Sequence, residues 1–457
     1  MTVGVVTVAV AGTHTGSPAS QPPRTAVSPG GTTLPGALAV AQSQPGAGQM
    51  SHPLVVKLRG WTNANSACVS AARAIADTQS APANPGKCAT PDLAATLPDG
   101  YTPATLRAYL RLGGTGAGQR VAIVDAFDNP YAAHDLATFS KEFGLPLPCG
   151  TTGKRGKQGC FTFASVHPFG IGGVDAGWAL ESDLDAQMVH AIAPKASITL
   201  VEAYDASTLS LFQAIGYAAA LRPLPSVISN SWGEPEFAGE TAGKLPCALA
   251  KTLCVFSAGD AGNPGQYPAY DPHVLSVGGT TLGLTASGKV RLEASWCCEI
   301  SSGAGGGGVS QYEPRPSYQD GINPYQGRGI PDVSFDADPY TGVPVYDTFG
   351  LDGQAGWFTV GGTSVGAPAW AGIVAAVDQL RATAGRPPLA GAGFQAQRLI
   401  YSRAGRHAAG FGDITTGVDN LIECASPVQA CRASPGYDEV TGWGSPRPGI
   451  DETLAGP

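Results

Sequence analysis

RVAIVDAF, residues 120–127, is a short run that is apolar from Val121 to Val124 and closes on Asp125. A continuous apolar run of this length suits a strand buried on both faces, as in a parallel sheet. Three further runs repeat the pattern: ASITLVEA (196–203), SVISNSWG (226–233) and LCVFSAGD (253–260). Helix-like segments lie near 133–143, 178–192, 207–221 and 240–251. Strand, helix, strand at this interval predicts right-handed crossovers and an α/β fold, a parallel β-sheet with helices on both faces. Such sheets gather function at their carboxyl ends. Each run ends in polar residues: Asp125 with Asp128, Glu202, Ser231 and Asp260.

The regular pattern begins near residue 97 and opens a domain assigned to residues 96–450. Before it, residues 1–52 read as a leader. Its start has an apolar core from Val3 to Ala11 but no basic residues ahead of it, and residues 12–52 carry only Arg24 as charge. Residues 53–95 hold a small apolar patch with Cys68 and Cys88, a segment that needs a cysteine staple to fold. The 457-residue chain has 14% charged residues, 63 Gly and 38 Pro, which predicts many loops around a compact interior. A net charge of −8 with no basic run argues against nucleic acid or an anionic membrane as partner. No segment has the length of a membrane span. The ten cysteines include Cys68 with Cys88, Cys149 with Cys160, and Cys424 with Cys431, none at zinc-site spacing. Disulfides are expected, and with them export to an oxidising compartment. Cys297 and Cys298 have no assignable partners.

Chemistry is concentrated in VGGTSVGAPAWAG, residues 360–372, where Ser364 opens a helix. A serine there is commonly only a cap. Gly361 and Gly362 permit a tight turn, however, and Pro368 fits the first turns of a helix, so Ser364 is presented outward as a nucleophile needs. VGGTTLG (277–283) repeats the lead-in, but LTASGKV follows as turn and strand, so that copy reads as structural. None of the seven histidines has a distinctive setting as base; His190 sits in a helix. Glu181 and Asp185 are four apart, on one helical face beside Leu180, Leu184 and Met188. They read either as a solvated acidic face that Asp183 extends, or as a buried dyad sharing a proton. Asp260, between Gly259 and Gly262, reads as a turn residue or as a protonated acid that donates to an oxyanion. GAGGGG (303–308) follows no strand and opens no helix, so it reads as a flexible loop and not a dinucleotide site.

These residues resemble the sedolisins, the serine-carboxyl peptidases with a subtilisin-like fold. The resemblance runs from about residue 97 to 448. Its motifs are Glu181-x-x-x-Asp185, SNSWG (229–233), Ser257 to Gly262, YPAYDPHVLSVGGT, IPDVSFDADPYTG and Gly362 to Pro368. It implies an acid-acting endopeptidase with Ser364 as nucleophile, Glu181 as base, Asp185 sharing its proton and Asp260 as oxyanion donor. Ser231, Trp232 and Gly233 are implied as the edge that binds substrate, with Trp232 near the cleft. One Ca2+ is implied at Asp413, Ile414, Ser434, Gly436 and Asp438, where Ser434 replaces the family's glycine. The resemblance also implies protein or peptide substrates, secretion, and a folded prosegment for which the first 95 or so residues are too short. The reading therefore expects a different activation or a start further upstream. A monomer is expected. Two alternatives stand beside it: a neutral peptidase using Asp125 and a histidine such as His190, and a non-catalytic binding or surface protein on the same scaffold.

Overall fold

The run at 120–127 forms strand β1 (Arg120–Ala126), and the computed structural model places it at the centre of an eight-stranded sheet. The structure describes residues 38–40, 49–51, 55–57 and 100–456, less 152–158, 168–172, 243–244, 250, 298–302, 352–353, 390, 407 and 420–430. The remainder of the expected leader and of the segment at 53–95, the Cys68 and Cys88 pair, Cys298 and Cys424 lie outside the described residues.

In chain order the elements that build the site are β1, α1 (Ala132–Glu142), β2 (Phe161–Val166), α2 (Ala176–Ile192) and β3 (Ser197–Ala203). They continue with α3 (Thr208–Ala220), β4 (Val227–Asn230), β5 (Leu253–Ser257), β6 (Val274–Leu284), β7 (Val290–Ser295) and β8 (Val333–Asp336). A hairpin follows, β9 (Val343–Leu351) with β10 (Gln354–Gly361), and then α4 (Thr363–Thr383). The sheet order is β8-β6-β5-β4-β1-β3-β2, every pair parallel, with β7 antiparallel to β6. The hairpin belongs to a second, antiparallel sheet extended by Val55–Lys57 and Leu38–Val40.

Side chains of β1 alternate between two apolar clusters, as the two-residue period of a strand requires. Val121 and Ile123 join Leu180, Leu184 and Met188 of α2 and Val365 and Trp370 of α4. Ala122 and Val124 join Leu211, Ala214 and Ile215 of α3. Both faces of the sheet are therefore covered, as expected from the sequence. The capping side chain of Asp175 starts α2 by accepting the Trp178 N–H at 3.1 Å. Pro194 follows its end, and sixteen of its seventeen residues are buried. Such a helix runs through the interior, and its polar residues are buried with it.

Two expectations change. The helix expected at 240–251 is two short turns, Glu240–Ala242 and Pro246–Leu249. Pro246 disfavours helix in the residue before it, and a disulfide from Cys247 to Cys254 pins the second turn to β5. The GAGGGG stretch is not a flexible loop. Residues 304–308 are buried, Gly306 N–H donates to Gly259 O at 2.7 Å, and a Cβ on Gly306 would lie 2.1 Å from Ala258 O. Its glycines are there because backbone meets backbone. VGGTTLG lies inside β6 and leads by a turn into β7, as read. Cys149–Cys160 is a disulfide as expected, and Cys297 and Cys431 are also disulfide-bonded. Among the described residues no helix is long and apolar enough to cross a membrane.

Candidate active site

Ser364 occupies the first turn of α4, after Gly362 at φ 102, a conformation that costs glycine little. It is fully buried, and so are Glu181 and Asp185 on α2. A solvated acidic face is thereby excluded. The Glu181 carboxyl is held well above the usual range, first by burial and then by the charges of Asp185 and Asp125. The Ser364 hydroxyl acts in the opposite sense and favours the ionised form. Asp185 is raised by burial and by Asp125, offset by the Ser231 hydroxyl, which donates to its Oδ1 at 2.8 Å. Two acids this close ionise as a pair and not singly.

Asp260 follows β5 and meets the start of α4. Its Oδ1 accepts the Thr363 N–H at 2.8 Å and the Thr363 hydroxyl at 2.8 Å. Its Oδ2 is buried without a hydrogen-bond partner among the described residues. Burial pushes the group up to about 7 against those two donors. In acid it is therefore a neutral carboxylic acid with one oxygen committed and one available to donate.

The parallel register adds two carboxyls. Asp125 of β1 stands opposite Glu202 of β3, and both are buried. Asp125 is pushed to about 8 by burial and by Glu202. Glu202 reaches about 7 through burial, offset by the Asn129 N–H and the Ser165 hydroxyl. Glu181, Asp185, Asp125 and Glu202 thus form a chain of acids under the carboxyl ends of the sheet. Sequence reading noticed Glu202 only as a strand end, and Asp125 as a strand end and as the aspartate of the alternative Asp/His/Ser reading.

Ser231 and Gly233 lie on the exit of β4 as expected. The Trp232 side chain turns inward instead: it is fully buried, its Nε1–H donates to Val124 O at 2.7 Å, and its ring meets Phe256 edge-on. His190 is also away from the chemistry; its Nε2–H donates to Pro146 O at 2.9 Å, and burial lowers it to about 4. His134, His167 and His273 each pair with an aspartate, Asp135, Asp128 and Asp271.

Further acidic groups lie elsewhere. Asp183, on the same helix, does not extend the Glu181 face. Asp135, Asp183 and Asp347 are all buried with carboxylate oxygens within 4.8 Å of one another, a geometry able to hold a cation. Asp183 is raised well above its ordinary range by burial and by Asp135 and Asp347, offset by Asn129 Nδ2, which donates at 3.0 Å. Near the carboxyl end, Asp413 Oδ2 accepts the Gly436 N–H at 2.9 Å and Asp438 Oδ2 the Ser434 N–H at 2.8 Å. Ile414 is buried beside them in sequence.

A family model described as the subtilase family matches residues 172–444. Kumamolisin of Bacillus sp. (strain MN-32) is 30% identical over 377 residues, 76% of this chain and 62% of kumamolisin. Tripeptidyl-peptidase 1 of Homo sapiens is 31% identical over 274 residues, 51% of this chain and 44% of that protein. The chain therefore spans less than two thirds of the length of either relative. Among solved structures, Pseudomonas sedolisin (serine-carboxyl proteinase), complexed with two molecules of pseudo-iodotyrostatin, superposes with a TM-score of 0.64 at 24% identity. That match covers 79% of this chain and 98% of the sedolisin chain, and it supports the fold.

Proposed function

The chain belongs to the subtilase family, with sedolisin-type relatives, and from that membership and the geometry at Ser364 we propose that it is a secreted, acid-acting serine-carboxyl endopeptidase. The observation that carries the reading is the joint burial of Ser364, Glu181 and Asp185, with the proton affinity of Glu181 raised by burial and by Asp185 and opposed by Ser364. Two carboxyls that share a proton titrate in two steps, and between those steps one of them is ionised and able to act as a base.

Glu181 accepts the Ser364 proton as Oγ attacks the peptide carbonyl, and Asp260 Oδ2–H donates to the oxyanion that forms. Glu181 then gives the proton to the departing amine. The C–N bond breaks and leaves an acyl group on Ser364, and water activated by Glu181 releases it. Asp185 holds and shares the proton, positioned by Ser231. The backbone at Ser231, Trp232 and Gly233 supplies an edge on which an extended peptide adds as a strand.

One Ca2+ suits Asp413, Ile414, Ser434, Gly436 and Asp438, since calcium takes carboxylate and carbonyl oxygens. What supports it is the convergence of both aspartates on the loop at 434–436. Bound there, the ion would offset the charge of two carboxylates and tie the loop to the 411–414 segment. The disulfides suit an extracellular setting. Proteins or peptides are the proposed substrates and a monomer the proposed state.

Mass spectrometry after treatment with a serine-directed phosphonylating reagent tests the assignment. One adduct on Ser364 is expected, absent from Ser364→Ala and slowed about 10²- to 10⁴-fold by Glu181→Gln. An undiminished rate in Glu181→Gln would remove the glutamate as base. No adduct on the unaltered chain would leave a binding protein on a peptidase scaffold.

A further inference from the structure

Two glycines flank the gap between the substrate edge and the oxyanion acid: Gly233 ends the edge, and Gly259 precedes Asp260. One side chain, that of Gln266, lies against both. A Cβ on Gly233 would stand 2.8 Å from Gln266 Cβ and 3.1 Å from its Oε1. A Cβ on Gly259 would stand 3.0 Å from Gln266 Cγ and 3.1 Å from the same oxygen. Neither position has room for a larger residue unless the glutamine shifts. Its backbone is tied to both walls of the gap. Gln266 N–H donates to Ala258 O at 2.9 Å, and Tyr267, next along the chain, exchanges two bonds of 2.8 Å with Glu234.

Gln266 as a residue is half-buried, but its Oε1 is fully buried and has no hydrogen-bond partner among the described residues. A buried amide oxygen without a donor is costly, and native chains rarely keep one. An extended peptide on the 231–233 edge brings its reacting carbonyl to Ser364 and Asp260. The side chain of the residue that owns this carbonyl then lies between the edge and the turn at 259–260, beside Gln266 Oε1. A donor on that side chain satisfies the oxygen. An apolar side chain of the same shape leaves it orphaned, and a polar group in a site discriminates more strongly than size alone. The neighbouring carboxyls titrate, whereas an amide does not, so the selection holds throughout acid.

We propose that Gln266 is a specificity residue that selects, at the position supplying the attacked carbonyl, a side chain carrying an N–H or O–H donor. The proposal rests on the peptidase reading. Glutamine and methionine are close in length and shape and only glutamine has a donor, so the test uses two short peptides that differ in that one residue. Mass spectrometry verifies that cleavage follows it. The unaltered chain is expected to show a kcat/KM about tenfold or more higher for the glutamine peptide. Gln266→Met should abolish the preference, while Gln266→Glu, which keeps an acceptor oxygen, should retain it; that contrast separates a lost acceptor from lost packing. Equal kcat/KM for the two peptides in the unaltered chain, or a preference that survives Gln266→Met, would overturn the proposal and leave the peptidase reading standing. No hydrolysis of either peptide or of a denatured protein at any pH would remove the peptidase reading. Equilibrium binding of the same two peptides then decides the role of Gln266: tighter binding of the glutamine peptide, lost in Gln266→Met, upholds it, and equal binding overturns it.

Discussion

Of the two oxygens of Asp260, one receives both donors of Thr363 and the other is left for a ligand. Asp260→Ala should therefore lower kcat about 10²- to 10³-fold in acid, the usual cost of one oxyanion donor. Asp260→Asn keeps an N–H that does not titrate, so it should lose less and retain a larger share of its activity as pH approaches neutrality. Steady-state kcat for both variants checks this, and an unchanged kcat in Asp260→Ala would end the oxyanion assignment. Ser364, Glu181, Asp185 and Asp260 could be nominated from sequence because each sits in a short motif with its neighbours, and the fold brings them into one buried region. Asp125 and Glu202 join the acid chain through strand register, which pairs residues far apart in sequence. The inward turn of Trp232 was illegible for a similar reason, since its partners Val124 and Phe256 belong to other strands.

At the scale of elements, the 304–308 stretch acts as a spacer against the turn that carries Asp260: Ala304 N–H donates to Asp260 O and Gly306 N–H to Gly259 O. Gly306→Ala should destabilise the protein by about 1–3 kcal/mol, an overpacking cost, and should lower kcat by shifting that turn. Thermal unfolding and kcat measured together test it; unaltered values would mean the loop yields freely. The strand runs and three of the four helices were readable from apolar periodicity, which burial in a covered parallel sheet imposes. The fourth, 240–251, failed because Pro246 and the Cys247–Cys254 bond overrode a weak helical pattern. The acidic face of α2 was ambiguous in sequence because a helix buried all round has no polar side by which to judge it.

Across the described residues, buried acids outnumber buried cations. Asp125 at about 8, Glu202 at about 7 and Asp260 at about 7 all lie above their unfolded values near 4. The native state therefore keeps protons that the unfolded chain releases. That contribution to stability is fully present below about pH 4 and is lost as pH rises through about 7 to 8. The unfolding temperature should accordingly be highest in acid and fall toward neutrality. Asp183→Asn, which removes a raised carboxyl from the cluster with Asp135 and Asp347, should flatten that fall while changing acid stability less; calorimetry across the window checks both. The same proton affinity keeps Asp260 a neutral donor throughout acid. The most direct test is the rate of hydrolysis of a denatured protein from about pH 2.5 to about pH 8, for the unaltered chain, Ser364→Ala and Glu181→Gln. Activity confined to acid and lost in both variants is the predicted result, and activity at neutral pH that survives Glu181→Gln would contradict the account.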